Sequence, residues 1–378
     1  MVSGPRDARS ERGAALVLAL LGLLVLAVLI GTGLLLSVLE RKSAGGFVQS
    51  QRAFAAAEQG LRSPLSDWSA FSPNFRASSE SVQFAGSGWL SSTDFDGDIR
   101  RLGDNLFLIT AEGRSANRAR QRLGLVVQLR ALLPDPGSAL SVAGPGLISV
   151  GQNATVSGLN SAPVGWGGCD PAPTLMPGIT LLEPGSPAVL ALNCPDSSCV
   201  AGSPRVELGG IGLEPYLAPL EDWDQEDFAS RGAVEVTTPV VSPGPVVSNA
   251  TCVTAPPGNW GDPYASGAPC GRYFPLVHAA GDLEIRAGRG QGVLVVEGSL
   301  TVAGGFAFAG LVLVGGSFTT EGIGTRIEGA VVVMNAGGSG SRVDGATMIH
   351  YSSCGLQQAL IGSGEPRPLQ ERSWIQAH

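Results

Sequence analysis

Six cysteines are the residues of this sequence whose type and placement most directly indicate chemistry. They are Cys169, Cys194, Cys199, Cys252, Cys270 and Cys354. All six follow a long apolar N-terminal run, and an even number in such an exported part predicts up to three disulfides in an oxidising compartment. Six cysteines allow fifteen pairings, and the sequence does not choose among them. We predict one pair only, Cys194 with Cys199, because it closes a short loop.

Metal binding is the alternative use of these side chains. No C-x-x-C pair occurs, and the three histidines (His278, His350 and His378) are scattered. Asp94, Asp96 and Asp98 alternate as in a calcium loop, but the EF-hand spacing then requires Gly and Glu where Ile99 and Asn105 stand. We therefore predict a turn at 94–98, with calcium as the alternative, and we predict no metal or other cofactor.

Two further groups of carboxylates could act as ligands or as catalysts. The acidic run at 221–227 is typical of a solvated helix start, with a metal site as the alternative. Asp282 with Glu297, and Glu328 with Asp344, are pairs that a glycoside hydrolase would need about 5–10 Å apart. They fit equally as solvent-facing side chains, and no Ser-His-Asp order or phosphate loop accompanies them. The sequence therefore predicts that the protein is not an enzyme.

The composition describes the framework that holds these residues. The chain has 378 residues, 54 glycines, 26 prolines and only 15% charged residues, without a collagen period. Such a composition indicates a β-rich fold with many tight turns. A net charge of −8 gives no electrostatic case for nucleic acid binding.

The N-terminal run is long enough to cross a membrane. Residues 14–38 carry no charge, and 25 helical residues span roughly 37 Å, more than a bilayer core of about 30 Å. Charge returns at Glu40, Arg41 and Lys42, and strong helix formers at 51–61 predict that the helix continues to Pro64. The run is too long for the core of a secretory signal peptide. A plain single-pass anchor is the simplest alternative.

The segment from Arg12 to Leu61 resembles the N-terminal segment of PilX-type minor pilins of type IV pili. The apolar run after Gly13 and the later sequence QRAFAAAEQGL at 51–61 carry this resemblance. It implies a leader at 1–13, removed by prepilin peptidase between Gly13 and Ala14. It also implies a helix at 14–64 whose side chains, among them Leu16, Val17, Leu18 and Leu39, lie in the inner membrane and then in the filament.

Position 18 departs from the pattern of major pilins. Most of them carry Glu at the fifth mature position, where it meets the N-terminal amine of a neighbouring subunit, and this chain has Leu18. An unpaired carboxylate is costly in hydrocarbon, so Leu18 suits a subunit with no neighbour above it. By resemblance to the type II secretion pseudopilin that also lacks this Glu, Leu18 predicts a tip or initiation subunit.

A β-sheet body is expected at 65–135. Alternating residues predict strands at 106–110 and 122–129, joined by a turn at 112–117. The resemblance implies that this hairpin lies against the C-terminal half of the helix. Arg114, Arg118, Arg120 and Arg122 cluster there, either as a solvated face beside acidic neighbours or as a surface for DNA or for the filament.

An internal repeat occupies 273–352. Gly292, Gly310, Gly329 and Gly345 each open an apolar strand motif, 18, 19 and 16 residues apart. A second series opens at Gly281, Gly298 and Gly316, and a third compares 325–330 with 341–346. A period near 18 residues with glycine corners predicts a β-solenoid of four to five rungs.

The middle region, 136–272, is less regular. Short strands at 139–142, 147–150 and 154–156 are expected to form an early rung, and residues 161–205 and 215–270 to be long loops held by disulfides. Residues 353–378 are expected to form a C-terminal tail. The predicted class is α+β: a long pilin-type helix with a small antiparallel β-sheet, plus a mainly-β solenoid domain.

This architecture resembles that of the competence minor pilin ComZ, in which a β-solenoid is inserted into a pilin-like fold that binds DNA. Residues 273–352 hold six acids and four arginines, the opposite of a phosphate-binding surface. The sequence therefore predicts a minor pilin that displays its solenoid for adhesion or recognition in the periplasm or on the cell surface. Its expected partners are other minor and major pilins, prepilin peptidase, the inner membrane and a surface ligand. The alternatives are a DNA-uptake subunit, a type II secretion tip pseudopilin, and an anchored periplasmic solenoid.

Overall fold

The computed structural model describes residues 9–68, 81–103, 105–144, 146–167, 169–182, 189–209, 212, 214–217, 225–264, 267–334, 340–369 and 374–377. The helices are α1 (Arg9–Ser66), α2 (Glu214–Leu217), α3 (Gln225–Ser230) and α4 (Ser353–Gly362), with single 3-10 turns at Ala116–Arg118 and Pro195–Ser197. The strands up to the middle of the chain are β1 (Ser81–Ser87), β2 (Asp94–Arg101), β3 (Leu106–Arg114), β4 (Arg120–Arg130), β5 (Leu140–Val142), β6 (Leu147–Val150), β7 (Thr155–Ser157), β8 (Ile179–Leu181), β9 (Val189–Leu192), β10 (Val200–Ala201), β11 (Val206–Leu208), β12 (Val234–Glu235), β13 (Val240–Val241), β14 (Val247–Ser248) and β15 (Thr251–Cys252). The remaining strands are β16 (Leu276–Ala279), β17 (Leu283–Ile285), β18 (Gly288–Val296), β19 (Leu300–Val302), β20 (Phe306–Val314), β21 (Phe318–Thr320), β22 (Ile323–Val333), β23 (Ser341–Val343), β24 (Ala346–Tyr351), β25 (Glu365–Pro368) and β26 (Trp374–Ala377). The predicted α+β class is confirmed.

Helix α1 differs from its predicted bounds at both ends. It begins at Arg9, inside the predicted leader, and ends at Ser66, so Pro64 lies within it. A proline in the last turn removes a single helical hydrogen bond, which is why the chain remains helical for two more residues. From Leu16 onward this helix is long and apolar enough to cross a membrane.

The stem consists of α1 and one antiparallel sheet with the strand order β1-β2-β3-β4-β25, in which β26 also pairs with β4. Side chains of β3 alternate strictly between buried and half-buried, because one face of the sheet lies against the second half of α1. Ala53, Ala57 and Leu61 fill this contact and are fully buried. Gly113 permits it, since a Cβ there would lie 2.1 Å from the carbonyl oxygen of Ala53.

Three predictions for the stem are wrong. Residues 94–98 form strand β2 and not a turn, because every residue from Asp94 pairs with β3. The hairpin strands extend to Arg114 and from Arg120, which shortens the connector to Ser115 and the 3-10 turn. Residues 353–378 are not a tail: helix α4 is followed by β25 and β26, which complete the stem sheet. These C-terminal strands gain their hydrogen bonds from β4, a partner more than 230 residues earlier that local sequence does not reveal.

The stack is the second body, and it consists of parallel strands in two sheets. The first sheet has the order β10-β7-β24-β22-β20-β18-β16-β12, with β5, β8 and β11 attached beside β22. The second has the order β13-β17-β19-β21-β23-β6-β9. From β16 to β24 the chain alternates between the two sheets, so that each coil of chain stacks on the previous one. Apolar side chains between the sheets form one continuous core.

Glycines of the repeat lie side by side in this stack. Gly292 pairs with Gly310, and Gly310 with Gly329, in the middle of long strands. Gly329 has φ 152°, and a Cβ there would lie 1.9 Å from the carbonyl oxygen of Gly310. Only glycine allows the strand to turn at this point so close to its neighbour. Gly345 does not belong to this series, because it lies over Gly322 and not over Gly329. Strand β24 pairs with residues 323–329 of β22. The predicted correspondence of 325–330 with 341–346 is therefore not a pairing in the structure.

The order of coils along the stack differs from the order of the chain. Strands β5, β6 and β7 pair with β22, β23 and β24, so the predicted early rung lies beside the last repeat. Strands β8–β11 extend this end, and β12 and β13 extend the other end beside β16 and β17. The residues predicted as long loops therefore include strands at both ends of the stack. The whole stack is an insertion between β4 and β25 of the stem.

Candidate functional site

The first half of α1 is an exposed apolar surface. Its large side chains from Leu16 to Leu39, including Val17 and Leu18, are 48% to 69% exposed. The hydroxyl of Thr32 donates to the carbonyl oxygens of Val28 and Leu29 at 3.0 Å, so this polar group is satisfied within the helix. Gly13 and Ala14 lie inside α1, after its first residues. This half of the helix can be covered only by lipid or by other apolar segments.

Contact with the sheet begins at a defined point of the helix. The Ser115 hydroxyl donates to Gln49, and the Gln121 amide donates to Ser50 at 2.9 Å. From Ala53 on, one face of the helix is buried. Helix α1 is therefore free as far as residue 48 and fixed to the sheet beyond it.

The predicted arginine cluster divides into two pairs. Arg114 lies 2.5 Å from Asp96 and 3.1 Å from Glu112, and Arg120 lies 3.3 Å from Glu112. The hydrogen bond to Glu112 is the main cause that raises the pKa of Arg114 above its ordinary value. Within the described part of the chain, no acidic side chain pairs with Arg118 or Arg122. Half of the cluster is thus already neutralised by carboxylates, which leaves little positive surface for DNA.

Two of the three aspartates in strand β2 also have side-chain partners. Asp96 holds Arg114, and Asp98 accepts a hydrogen bond from the Thr110 hydroxyl. In a strand the three side chains share one face but are spread along it, whereas a calcium loop folds them around one point. Among the residues that the structure describes, no group of three or more His, Cys, Asp or Glu side chains is placed to hold a metal ion. Residues 221–224 of the acidic run lie outside the described residues, and α3 follows them.

All six cysteines are paired in the structure. Cys194 is bonded to Cys199, Cys169 to Cys354, and Cys252 to Cys270. The second of these bonds fastens the loop after β7 to the start of α4, across 185 residues of sequence. Trp166 of the same loop packs edge-to-face on Phe274, with the ring centroids 5.6 Å apart. Sequence reasoning did not identify the other two pairs. Cys169 and Cys354 are 185 residues apart, so their pairing depends on the order of the coils. Cys252 and Cys270 are 18 residues apart in the segment before β16.

Each carboxylate of the two predicted pairs has a partner in the structure. The carboxylate of Asp282 accepts from the Ser299 backbone at 2.7 Å, whereas Glu297 lies 2.9 Å from His278. Glu328 is almost completely buried, where it holds Arg326 at 3.0 Å and the Val164 backbone at 3.2 Å. Asp344 instead accepts from Arg342, which lowers the pKa of this carboxyl below its ordinary value. These four carboxylates therefore hold neighbouring groups of the stack in place.

A buried histidine links three coils of the stack. The ring of His278 is 1% exposed and lies between Glu235, 2.9 Å from Nδ1, and Glu297, 2.9 Å from Nε2. Phe228 of α3 stacks on it at 3.7 Å. Sequence reasoning missed this cluster, because 43 residues separate Glu235 from His278.

A cleft of about 850 Å³ separates the stem from the stack. Its walls include Trp68 at the end of α1, Tyr273 before β16, and Glu365 of β25. Glu365 holds Arg231 of the stack and, at 2.8 Å, Arg367 of its own strand. Burial raises the pKa of Tyr273 to about 12, so this hydroxyl keeps its proton and donates to the Thr254 carbonyl oxygen. The ion pair of Glu365 with Arg231 therefore joins the stem to the stack beside this cleft.

Comparisons with known proteins support the interpretation of the N-terminal segment. Residues 12–62 match the model of the PilX N-terminal family. This match confirms the predicted PilX-type resemblance of that segment. No curated protein matches the chain. Among solved structures, the chain is similar to the competence-associated pilin ComZ from Thermus thermophilus, with 10% identity over 87% of this chain and 98% of that chain. The TM-score is 0.24, so this likeness does not establish a common fold.

Proposed function

We propose that this chain, whose N-terminal segment is of the PilX type, is a minor subunit of a type IV pilus. The exposed apolar half of α1 carries this proposal. It is long enough to span the inner membrane before assembly, and apolar enough to pack among the helices of other minor and major pilins. The fixed half holds the stem sheet, and the stack inserted in that sheet is carried outside the membrane.

The tip or initiation position is part of this proposal. Leu18 is 69% exposed, and no carboxylate stands at this position to pair with the amine of a neighbouring subunit. A subunit with nothing above it has no use for such a carboxylate, which would be costly if it remained unpaired in hydrocarbon. A tip or initiation subunit would be present in far fewer copies than the major subunit.

The stack is the part that meets the surroundings. We propose that it is a β-solenoid for adhesion or recognition, on the surface or in the periplasm, where its three disulfides are stable. Contact through side chains of a rigid stack needs no catalytic group. DNA uptake is less favoured because Glu112 and Asp96 neutralise Arg114 and Arg120.

The mature N-terminus of the protein tests the pilus assignment. Mass spectrometry of membrane and sheared-filament fractions should find a chain that starts at Ala14 in the sheared fraction, in small amounts relative to the major subunit. Gly13→Val should leave the full-length chain in the membrane, since prepilin peptidase would no longer cut after residue 13. Gly4→Val, also in the leader, is the matched control and should be processed normally. An uncut chain confined to the membrane in the unmodified protein would replace this assignment with an anchored periplasmic protein.

A further inference from the structure

The second sheet of the stack has an outer face that no helix covers among the described residues. Helix α4 packs against β18, β20 and β22 of the first sheet, whereas β17, β19, β21 and β23 have their extensive contacts with strands of their own sheet. In β17, β19 and β21 the first and third side chains are buried and the middle one is half-buried. The middle side chains therefore point outward, away from the core.

In four neighbouring strands of this sheet, the outward side chains form a row that begins with an acid and ends with a base. The sheet continues on both sides of these four strands, to Val240 of β13 beside Glu284 and to Ser149 of β6 beside Arg342. Glu284 pairs in register with Thr301, Thr301 with Thr319, and Thr319 with Arg342. Neighbouring strands are about 4.8 Å apart, so the two charges lie about 14 Å from each other. The order along the row is acid, hydroxyl, hydroxyl, base.

A second pair of charges lies beside this row, with the reverse order. Arg286 follows β17 and lies 2.8 Å from Glu284, and Asp344 follows β23 and accepts from Arg342 at 3.0 Å. The side chains of Arg286 and Arg342 are 64% and 63% exposed, and those of Glu284 and Asp344 are 37% and 32% exposed. At β17 the acid therefore precedes the base along the chain, whereas at β23 the base precedes the acid.

We infer that this face, which we define as Glu284, Arg286, Thr301, Thr319, Arg342 and Asp344, binds the same face of a second copy of the chain. The twofold axis would run parallel to the strands, midway between β19 and β21. A half-turn about it reverses the order of the strands and keeps each row opposite itself. Glu284 then faces Arg342 of the second copy, Arg286 faces Asp344, and Thr301 faces Thr319, so that every charge meets its opposite.

The geometry of sheets permits this contact. Two sheets pack face to face about 10 Å apart with strands nearly aligned, which brings side chains of this length together. Twofold symmetry presents the same patch on both copies, as in most homodimers. Exposed ion pairs contribute little individually, so the pair is expected to be weak and to weaken further in high salt. Stacks carried by different filaments would be joined by such a contact.

Charge reversal on the full-length chain in detergent tests the pairing. Light scattering with size-exclusion chromatography at several concentrations should show a monomer–dimer equilibrium. Glu284→Arg alone and Arg342→Glu alone should each weaken self-association about tenfold, because two symmetry-related attractions become repulsions. Mixing the two variants should restore dimers, now between unlike chains, since the Glu284→Arg chain carries only bases and the Arg342→Glu chain only acids at these two positions. Glu207→Arg on β11, at the end of the other sheet, is the control and should dimerise normally.

Two results would overturn the inference: a chain that stays monomeric at every concentration, or single variants that dimerise as well as the unmodified chain. A mixture that does not recover would exclude the proposed register. Circular dichroism of each variant separates these results from misfolding, and the double variant Glu284→Arg/Arg342→Glu, with the charges exchanged, should dimerise as the unmodified chain does. The test goes beyond the proposed pilus role and is independent of it, because leader processing at Gly13 has no part in it.

Discussion

The stem and the stack bury their strands in different ways. In the stem strand β3, buried side chains alternate with half-buried ones, because only one face of the sheet meets α1. In the stack strand β20, all nine residues are buried. Strand β20 is enclosed by the core on one side and by α4 on the other. The difference shows that the stem depends on a single helix–sheet contact, whereas each coil of the stack depends on its neighbours.

The chain also closes the two bodies differently. The stem is closed by strands from far ends of the sequence, since β25 and β26 return to β4. In the stack, the first and last coils of the chain are neighbours: strands β5–β7 pair with strands β22–β24. The Tyr351 hydroxyl donates to Asp135 at 2.7 Å and ties the exit of the insertion to its entrance. Entry and exit thus lie side by side, which lets the stem fold around a large insertion without a change in its own pairing.

Removing one buried ring from each body should give the largest effect and test whether the two unfold separately. Phe107 of the stem and Phe308 of the stack are 0% and 1% exposed. Phe107→Ala and Phe308→Ala should each lower the free energy of unfolding by about 3–5 kcal/mol. Hydrogen exchange should show lost protection in the stem for the first and in the stack for the second. Equal loss of protection in both bodies for either variant would show that they unfold as one unit.

Removal of a disulfide of the stack should have the next largest effect on the free energy of unfolding. Cys169→Ser/Cys354→Ser should lower the free energy of unfolding by about 2–5 kcal/mol, because this bond closes a very long loop. The bond between Cys194 and Cys199 spans five residues, so its removal should have a smaller effect. Urea unfolding of both double variants measures the difference. A larger loss from the short-range pair would contradict the role given to the long-range bond.

Breaking the ion pair between stem and stack should have the smallest effect. Arg231→Gln should lower stability by about 1 kcal/mol or less, because both partners are partly exposed. Arg367→Gln is the matched control: Arg367 also pairs with Glu365 but lies on the same strand, so this ion pair does not cross the cleft. Urea unfolding of both variants at neutral pH makes the comparison. The reverse ranking would show that Arg231 does not connect the two bodies.

The pH dependence of the same pair has a definite sign. Burial raises the pKa of Glu365, but Arg231 and Arg367 lower it further, to below the ordinary 4.5. A carboxyl whose pKa is lower in the folded state stabilises the fold above the unfolded value and loses this contribution as the pH falls through the folded value. The difference between the unmodified chain and Arg231→Gln should therefore shrink in acid. A difference that grows in acid would contradict this.

Local sequence was sufficient for several parts of the molecule. The apolar run and its helix formers indicated α1, and strict alternation indicated the hairpin of β3 and β4, since both patterns arise from neighbours a few residues apart. The repeating glycines at 292, 310 and 329 indicated stacked strands, and they lie in register. Prediction failed at Gly345, because each coil contains several strands with a glycine corner and the sequence does not say which corner a motif occupies.

By itself, the sequence determined the helix, the class of the fold and the PilX-type segment, because periodicity and motifs record local geometry. Only the tertiary structure decided which coils are neighbours, which cysteines pair across 185 residues, and that His278 lies between Glu235 and Glu297. It also decided that Glu284 and Arg342 lie three strands apart in one outer row. The physical reason is the same in each case. A parallel strand takes its hydrogen bonds from a partner one coil away, and the coil beside it need not be the next one along the chain.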